Sequence, residues 1–397
     1  MTQTFDTAAA MVAALQPDEP VYCLRPHVLH DTARRYVNAF PGKVLYAVKC
    51  NDDPRILRAL YEGGIRHFDT ASMAEVRTVS DLFGEPACHF MHPVKGRRTI
   101  EEAYFRYGIR SFALDHEDEL AKLVDVTKGA ADLTLVVRIE APRNQAVCDL
   151  SGKFGATVEA AADLLRAARK PGRRLGLTFH VGSQCLSPAA YARAIELVGQ
   201  VRDLAGLELD LLDVGGGFPV PYVGIDPPPF EDYVAAILDA VRAAGLPPST
   251  ELLCEPGRGL VAGGSSLVVK VELRRDSCLY LNDGMYGSLS DMKFDGIEFP
   301  MRVIRPGAEV SRRLAGFHLF GPTCDSTDSM PGPYWLPEDI REGDWIEIGQ
   351  MGAYTNVLRT RFNGFDRYGT VFVRDGAFLP TPEMLPRKIS TSRATAS

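Results

Sequence analysis

A lysine at the end of a short apolar run is the residue of this sequence best suited to covalent chemistry. Lys49 closes the run VLYAVK (44–49), and the CNDDP that follows it is typical of a turn leading into a helix. An isolated lysine in such a position usually extends its ammonium to the surface. In a pocket, burial would lower the pKa of the amine, which could then form a Schiff base with a carbonyl compound. The choice between the two depends on the groups around Lys49.

Three consecutive glycines give a second candidate site. Gly215, Gly216 and Gly217 lie in DVGGGFP, between an apolar run and a proline-rich loop. Such glycines let backbone N–H groups approach an anion closely, as a phosphate site requires, although a plain flexible turn uses the same residues. The run is not GxGxxG and no Walker lysine follows it, so it does not predict a site for a dinucleotide or a nucleoside triphosphate.

Two further segments, EPGR and HVGSQ, offer charged and aromatic groups at strand ends. Glu255 could hold a protonated ring nitrogen, and Arg258 could bind a phosphate. His180 could stack on an aromatic ring, and Ser183 could donate a hydrogen bond to the same phosphate. Taken alone, EPGR is also typical of a surface ion pair, and HVGSQ of a core histidine.

The segments GPTCDSTD and MGAYT are typical of exposed loops. Cys324 precedes a carboxylate in the first, and Tyr354 is the aromatic tip of the second. Without other groups around them, they predict only an ordinary thiol and a packing residue.

The elements that would position these groups alternate from about residue 40 to residue 257. Short β-branched or apolar runs are each followed by a segment with helical periodicity. The runs are VLYAVK (44–49), IRHFDT (65–70), ACHFMH (87–92), SFALD (111–115), LTLVVRIE (133–140), LGLTFHV (175–181), LDLLDV (209–214) and ELLCE (251–255). Eight such units favour an α/β fold of the (β/α)8 TIM-like barrel type over an open doubly wound sheet, which periodicity alone leaves possible.

Polar residues and glycines stand repeatedly at the carboxyl ends of these runs. They are Lys49, Asp69, His92, Asp115, Arg138, His180, the glycines at 215–217 and Glu255. In a closed barrel all of these ends meet at one mouth, where catalytic groups collect. The pattern therefore favours the barrel, and it favours a pocket rather than the surface for Lys49.

After residue 265, apolar and polar residues alternate at period two in short segments, which are separated by turns rich in Gly, Pro and Asp. No long helix candidate appears there. This pattern predicts an all-β domain, either a sandwich or a small barrel. We expect the barrel to span residues 25–265 and the β domain residues 266–385, joined by a strand within residues 1–24. The polar residues 386–397 are expected to be a disordered tail.

Composition excludes several classes of partner. The 397 residues carry a formal net charge of −7 without a basic stripe, a nucleic-acid motif or an apolar run long enough to span a bilayer. Nucleic-acid and membrane partners are therefore not expected. The eight cysteines lack zinc-ligand spacing, so no metal site is predicted. No basic stretch precedes the apolar N-terminal residues, and we expect a cytoplasmic protein with free thiols.

Eight segments in a fixed order carry a family resemblance. They are YAVKCN, FDTAS, HVGSQ, DVGGGFP, EPGR, NDGMYGS, GPTCDS and MGAYT. From about residue 20 to residue 365, the set resembles the fold-type III, alanine-racemase-like decarboxylases that depend on pyridoxal 5′-phosphate (PLP), which include ornithine, diaminopimelate and arginine decarboxylases. The resemblance implies a PLP-binding barrel, a β domain and a homodimer whose active sites are shared across the interface.

The resemblance also implies roles for single residues. Lys49 would bind PLP, Asp69 and Arg138 would line the cofactor, His180 would stack on its ring, and Glu255 would keep the ring nitrogen protonated. The residues that would hold the phosphate are Ser183, Gly216, Gly217, Arg258 and Tyr354, and Gly215 and Gly257 are further expected cofactor-binding residues. The expected catalytic residues are Lys49, His180, Glu255 and Cys324, of which Cys324 would return a proton to Cα.

The substrate implied by the resemblance is a basic L-amino acid. Asp325 directly follows Cys324, and Asp295 lies in YGSLSDMKFDG, as in the ornithine decarboxylases of the family. Two carboxylates would bind a distal ammonium and repel the second carboxylate of diaminopimelate. This favours L-ornithine, converted to putrescine and CO2 in polyamine biosynthesis. A lysine or dual lysine/ornithine decarboxylase is the alternative, since one methylene changes binding by only about 1–3 kcal/mol.

Two other functions fit less well. A catalytically inactive regulatory homologue would be expected to lose cofactor residues, whereas Lys49, Glu255, Arg258 and Tyr354 are all retained. A racemase would fit the barrel and its lysine, but it leaves the carboxylate-bearing GPTCDS segment unexplained.

Overall fold

The chain begins with strands of a sheet that is completed only near residue 370. The computed structural model describes residues 2–84, 87–142, 146–148, 152–293 and 297–384. Strand β1 (Thr4–Phe5) is followed by helix α1 (Ala8–Leu15) and strand β2 (Val21–Leu24).

Eight parallel strands then close into a barrel, which confirms the predicted architecture. They are β3 (Lys43–Ala47), β4 (His67–Thr70), β5 (Ala87–Phe90), β6 (Ser111–Leu114), β7 (Thr134–Arg138), β8 (Arg174–Thr178), β9 (Leu211–Asp213) and β10 (Glu251–Cys254). Neighbours in the chain pair in order, and β10 closes the ring against β3. Each apolar run identified in the sequence forms one of these strands, and every run except 65–70 extends past the carboxyl end of its strand. Most of the polar groups therefore follow the paired residues at the mouth, whereas Asp69 and Arg138 belong to β4 and β7 themselves.

Helices surround the barrel. They are α2 (Pro26–Ala39), α3 (Pro54–Glu62), α4 (Met73–Phe83), α5 (Arg97–Glu101), α6 (Glu117–Val126), α7 (Val158–Ala168), α8 (Ala189–Ala205), α9 (Phe230–Ala243) and the short α10 (Arg258–Val261). Local sequence fixes where they begin: Ser72 caps α4 by accepting a hydrogen bond from the N–H of Glu75, whose carboxylate accepts one from the N–H of Ala71. In the ranges described, no helix has the length and apolar character needed to cross a membrane.

The barrel interior is packed rather than open. Six apolar side chains from six strands or their ends form a separate core cluster: Leu45, Met91, Ala113, Val136, Leu211 and Leu253. Filling by such layers is usual for this fold and leaves the mouth as the place for a site.

A histidine pair lies on the adjacent strands β4 and β5. His67 Nδ1 and His89 Nε2 are 3.2 Å apart. Burial lowers the pKa of His89 to about 3, and the charges of His67 and Lys43 act in the same direction. Burial also lowers the pKa of His67. Both imidazoles are therefore neutral at neutral pH.

This pair is expected to make the protein sensitive to acid. The unfolded chain binds a proton at His89 below about pH 6.5, whereas the folded chain does so only near pH 3. The free energy of unfolding should therefore fall between these values, by up to about 1.4 kcal/mol per pH unit for this group. His89→Gln keeps a hydrogen-bonding group but does not titrate, so urea denaturation between pH 7 and pH 4 should show a weaker pH dependence. Parallel wild-type and variant curves would contradict this assignment.

The remaining strands form the C-terminal sheet, which confirms the all-β prediction. They are β11 (Ser265–Arg275), β12 (Cys278–Leu281), β13 (Met301–Ile304), β14 (Leu314–Phe320), β15 (Ser329–Pro337), β16 (Trp345–Ile348) and β17 (Gly369–Val373). With β1 and β2 they make nine connected strands among the described residues, and the long β11 takes part in both halves of the sheet. Strand β2 pairs with β11 and β17. The domain boundaries stay predictions, and residues 386–397 lie outside the described ranges.

Strand β15 was not predicted. Its sequence, SMPGPYWLP, contains three prolines, each of which lacks an N–H donor and argues against a central strand. The sheet tolerates them because β15 is an edge strand, paired only with β14 among the described residues.

Candidate active site

One cavity at the barrel mouth gathers most of the residues singled out in the sequence. It is lined by Ala47, Lys49, His180, Ser183, Gly217, Phe218, Glu255, Gly257, Arg258 and Tyr354. These residues come from the ends of β3, β8, β9 and β10 and from the loop after β16. Strand ends and one loop of the C-terminal sheet therefore build the site together.

Lys49 lies in a short helical turn, Val48–Cys50, directly after β3. Its Nζ is 3.0 Å from Oδ2 of the buried Asp69, at the end of the neighbouring strand. Burial lowers the pKa of the lysine amine, but the carboxylates of Asp69 and Glu255 outweigh this effect and raise the pKa above its ordinary value. The expectation that the pKa of Lys49 would be lowered is therefore wrong when only the side chains of this protein surround the amine. The reason is the ion pair with Asp69, which burial alone does not take into account.

The glycine run leaves no room for side chains. Gly215 and Gly217 have φ values of 66° and 103°, which favour glycine. A Cβ on Gly216 would lie 2.6 Å from the carbonyl oxygen of Glu255 and 3.2 Å from His180 Nε2. Gly217 reaches the cavity, while Gly215 and Gly216 pack behind it. The run is thus a tightly packed turn beside the cavity, as a phosphate cradle requires.

Arg258 places a buried guanidinium in the cavity. Its Nη1 donates to Asp291 Oδ2 and to the Tyr222 hydroxyl, both at 2.8 Å, and its Nε donates to Ser183 Oγ at 3.4 Å. The guanidinium also lies 5.2 Å from the centre of the Tyr354 ring. Sequence reasoning missed Asp291 and Tyr222 as partners of Arg258, since no local spacing links 222, 258 and 291.

Asp291→Asn is expected to destabilise the cofactor-free protein and to make it depend more on an anion in the cavity. Breaking a buried ion pair costs about 3–5 kcal/mol, because one charge is left uncompensated. A bound phosphate group would supply the missing anion, so PLP should raise the unfolding free energy of the variant more than that of the wild type. Urea denaturation with and without PLP measures both effects.

A control for this variant is Asp132→Asn, which breaks the exposed Arg110–Asp132 pair. It should change the unfolding free energy by at most about 1 kcal/mol. Equal PLP stabilisation of the wild type and Asp291→Asn would show that Arg258 does not contact the phosphate.

His180 is held as a neutral imidazole. The N–H of Gly182 donates to His180 Nδ1 at 3.0 Å, which leaves the proton on Nε2. Burial lowers the pKa of His180 to about 3, and the positive charges of Arg138 and Lys49 contribute. Arg138, at the end of β7, is thus near His180 but does not line the cavity itself. A neutral ring is suited to stacking and poorly suited to protonating a substrate.

Glu255 is the buried acid of the site. It is only 8% exposed, and burial together with the adjacent carboxyl of Asp213 raises its pKa well above the ordinary value. Asp213 belongs to the DVGGGFP segment but was not singled out from the sequence.

The GPTCDS segment lies elsewhere, in the connection between β14 and β15. Cys324 is exposed, and its N–H and Sγ lie 3.2 and 3.3 Å from Oδ1 of Asn363. Asp325 accepts a hydrogen bond from the Tyr286 hydroxyl at 2.6 Å. Neither residue is among the described residues that line the cavity of the same chain. The predicted substrate residue Asp295 lies outside the described ranges.

The groups around the cavity fit PLP. Lys49 offers an amine for the aldehyde of PLP. Glu255 offers a buried carboxyl group whose Oε1 accepts no hydrogen bond from the described residues. Arg258, Ser183 and Gly217 provide donors and space for a phosphate, and the neutral His180 provides a ring face.

Comparisons with known proteins agree with this fit. Residues 27–262 match the pyridoxal binding domain of the pyridoxal-dependent decarboxylases, and residues 263–352 match their C-terminal sheet domain. The lysine/ornithine decarboxylase of Selenomonas ruminantium is 36% identical over 343 residues, which cover 84% of each protein. The ornithine decarboxylase of Panagrellus redivivus is 34% identical over 361 residues, covering 84% of this chain and 80% of the relative.

A solved structure gives the same result. The lysine/ornithine decarboxylase of Vibrio vulnificus, complexed with putrescine, superposes with a TM-score of 0.79 at 32% identity. The match covers 93% of this chain and 99% of that one. With its closed barrel, its C-terminal sheet and a lysine in the cavity at the mouth, this chain belongs to the PLP-dependent decarboxylases of basic amino acids.

Proposed function

We propose that this chain decarboxylates L-ornithine to putrescine and CO2 in polyamine biosynthesis. The observation that carries the proposal is the convergence of Lys49, His180, Glu255, Arg258 and Tyr354 on one cavity. The carboxylate of Asp325, beside the exposed thiol of Cys324, favours a substrate with a distal ammonium.

Each residue has a definite task in this proposal. Lys49 holds the cofactor covalently until the substrate amine takes its place, and Asp69 keeps the lysine side chain in position. Ser183, Arg258 and Tyr354 hold the phosphate end together with the glycine run. PLP supplies, when bound, an electron sink for the electron pair left on Cα as CO2 departs. Glu255 holds the ring nitrogen, and His180 supports the ring.

Cys324 and Asp325 act at the substrate. Cys324 Sγ returns a proton to Cα, and Asp325 binds the distal ammonium, with Asp295 as its expected second carboxylate. Asn363 and Tyr286 orient these two side chains through the hydrogen bonds described above.

Because Cys324 and Asp325 lie away from the cavity of their own chain, we infer that a second copy supplies them. Asn363, the hydrogen-bond partner of Cys324, belongs to a segment in which Leu358, Phe362, Phe365 and Tyr368 are all at least 40% exposed. Exposed apolar side chains clustered in this way are typical of a protein–protein interface. A two-fold homodimer that buries this surface would form two equivalent shared sites.

Lysine is the second candidate substrate, favoured by its presence in the names of the Selenomonas and Vibrio relatives. We expect kcat/KM to be highest for ornithine, lower for lysine, and lowest for arginine and diaminopimelate, measured as CO2 release from each amino acid. One methylene changes selectivity by about 10–200-fold, so the assay separates ornithine from lysine. A higher kcat/KM for lysine would replace the proposed substrate but keep the reaction.

Asp325→Asn tests the recognition of the distal ammonium. Loss of a charge-assisted hydrogen bond should lower kcat/KM for ornithine by about 10–100-fold, with little change in PLP binding. Asp276→Asn, at an exposed turn of the same sheet, is the matched control and should leave kcat/KM unchanged. Equal kinetics for the two variants would exclude Asp325 from substrate recognition.

A further inference from the structure

Two buried carboxyl groups belong to paired strands at the barrel mouth, and one of them, Glu255, lines the cavity. Asp213 ends β9 and Glu255 follows β10, and these strands are paired, with Asp213 opposite Leu253. The two carboxyl groups interact: a side-chain hydrogen bond between them lowers the pKa of Asp213 and raises that of Glu255. Asp213 is fully buried and Glu255 is 8% exposed, so bulk water does not separate their charges.

The available donors do not satisfy two ionised carboxylates. Asp213 Oδ1 accepts the N–H of Gly215 at 2.9 Å. Among the residues described, Asp213 Oδ2 and Glu255 Oε1 are both buried without any N–H or O–H donor. An ionised carboxylate only accepts hydrogen bonds, so two of them in contact would repel each other and leave both oxygens unsatisfied. One proton held by the pair removes one of the two charges and provides an O–H donor that two carboxylates lack.

The other charged groups nearby do not replace this proton. The positive charge of Lys49 lowers the pKa of Glu255, but its Nζ is already paired with Oδ2 of Asp69 at 3.0 Å. Asp69 itself adds a further negative charge. The N–H of Gly215 stabilises the ionised form of Asp213, which leaves Glu255 as the group that carries the proton.

We propose that Asp213 is a positioning residue that shares a single proton with Glu255, and that this proton is the one passed to the ring nitrogen when the cofactor binds. The second part rests on the proposed function. In the transfer, the O–H bond of Glu255 breaks and an N–H bond forms at the ring nitrogen. The electron pair stays on the Glu255 carboxylate, so the carboxyl pair changes from −1 to −2 and the ring from 0 to +1. The net charge of the site is conserved, and no proton is drawn from solvent.

Infrared spectroscopy of the cofactor-free protein tests the shared proton, because a protonated carboxylic acid gives a carbonyl band that carboxylates lack. Burial raises the pKa of Glu75 to about 7, so that residue would contribute a band of its own. The measurement is therefore made at neutral pH in a Glu75→Gln background. We expect a buried carboxylic acid band, and we expect its loss in both Asp213→Asn and Glu255→Gln. In each variant the amide donates to the remaining carboxylate and keeps the side chain's shape.

Three outcomes are decisive. A band that persists unchanged in Asp213→Asn would overturn the sharing, since Glu255 would then hold its proton alone. The absence of any band would mean that both groups are ionised, which also overturns it. Loss of the band in both variants supports it, and a further loss of the wild-type band on adding saturating PLP supports the transfer. A protein that shows the band but binds no PLP would disprove the proposed function and leave the shared proton standing.

Discussion

Replacing Lys49 with alanine is expected to lower kcat/KM by roughly 10³-fold or more, because the residue both binds the cofactor and orients it. Lys49 lines the cavity at the mouth, and its Nζ is 3.0 Å from Oδ2 of Asp69. Removing it takes away the covalent link and leaves Asp69 as a buried carboxylate without its ion-pair partner. Assay of CO2 release at saturating PLP measures the loss.

Lys43→Ala is the matched control for this prediction. Lys43 begins the same strand, β3, at the opposite end of the barrel, and pairs with Glu251 there. Its removal should leave kcat/KM within a small factor of the wild type. Borohydride reduction of the PLP-bound protein, followed by peptide mapping, should place the pyridoxyl group on Lys49. A label on another lysine, or activity retained by Lys49→Ala, would contradict the assignment.

The barrel could be predicted from the sequence because its strands and helices are local patterns. Each apolar run became one strand of the ring, and four of the groups at the carboxyl ends line the cavity: Lys49, His180, Gly217 and Glu255. Strand ends were less predictable: β9 keeps only Leu211–Asp213 of the run 209–214. Pairing with both neighbours decides where a strand stops, and pairing is not a property of the run itself.

The site could be predicted where residue type and position at a strand end were enough, as for Lys49 and Glu255. The partners that bind the site residues or shift their pKa values could not be predicted. Asp291 reaches Arg258 across 33 positions in the chain, and Asp213 meets Glu255 across 42. Such contacts depend on how distant segments pack, and a single sequence contains no spacing that encodes them. The raised pKa of Lys49 has the same origin, since Asp69 belongs to the neighbouring strand.

The proposed sharing of the active site between two chains leads to the second large expected effect, whose test uses two inactive variants. Lys49→Ala lacks the cofactor lysine but keeps Cys324, whereas Cys324→Ala keeps the lysine and lacks the thiol. Each variant alone is expected to lose most of its activity, since removal of a general acid costs about 10²–10⁴-fold. If the partner supplies Cys324, a mixed dimer contains one site with both residues intact and one site with neither.

Mixing the two variants in equal amounts and allowing the subunits to exchange should therefore restore about a quarter of the wild-type activity, because half of the dimers are mixed and each has one intact site. The control is a mixture of Lys49→Ala with a Lys49→Ala/Cys324→Ala double variant, in which no combination of chains gives an intact site. Size-exclusion chromatography checks that all variants are dimers. If the dimers form and exchange but activity stays at the level of the single variants, Cys324 acts within its own chain. The exposed thiol would then need a loop movement, rather than a partner, to bring Sγ to Cα.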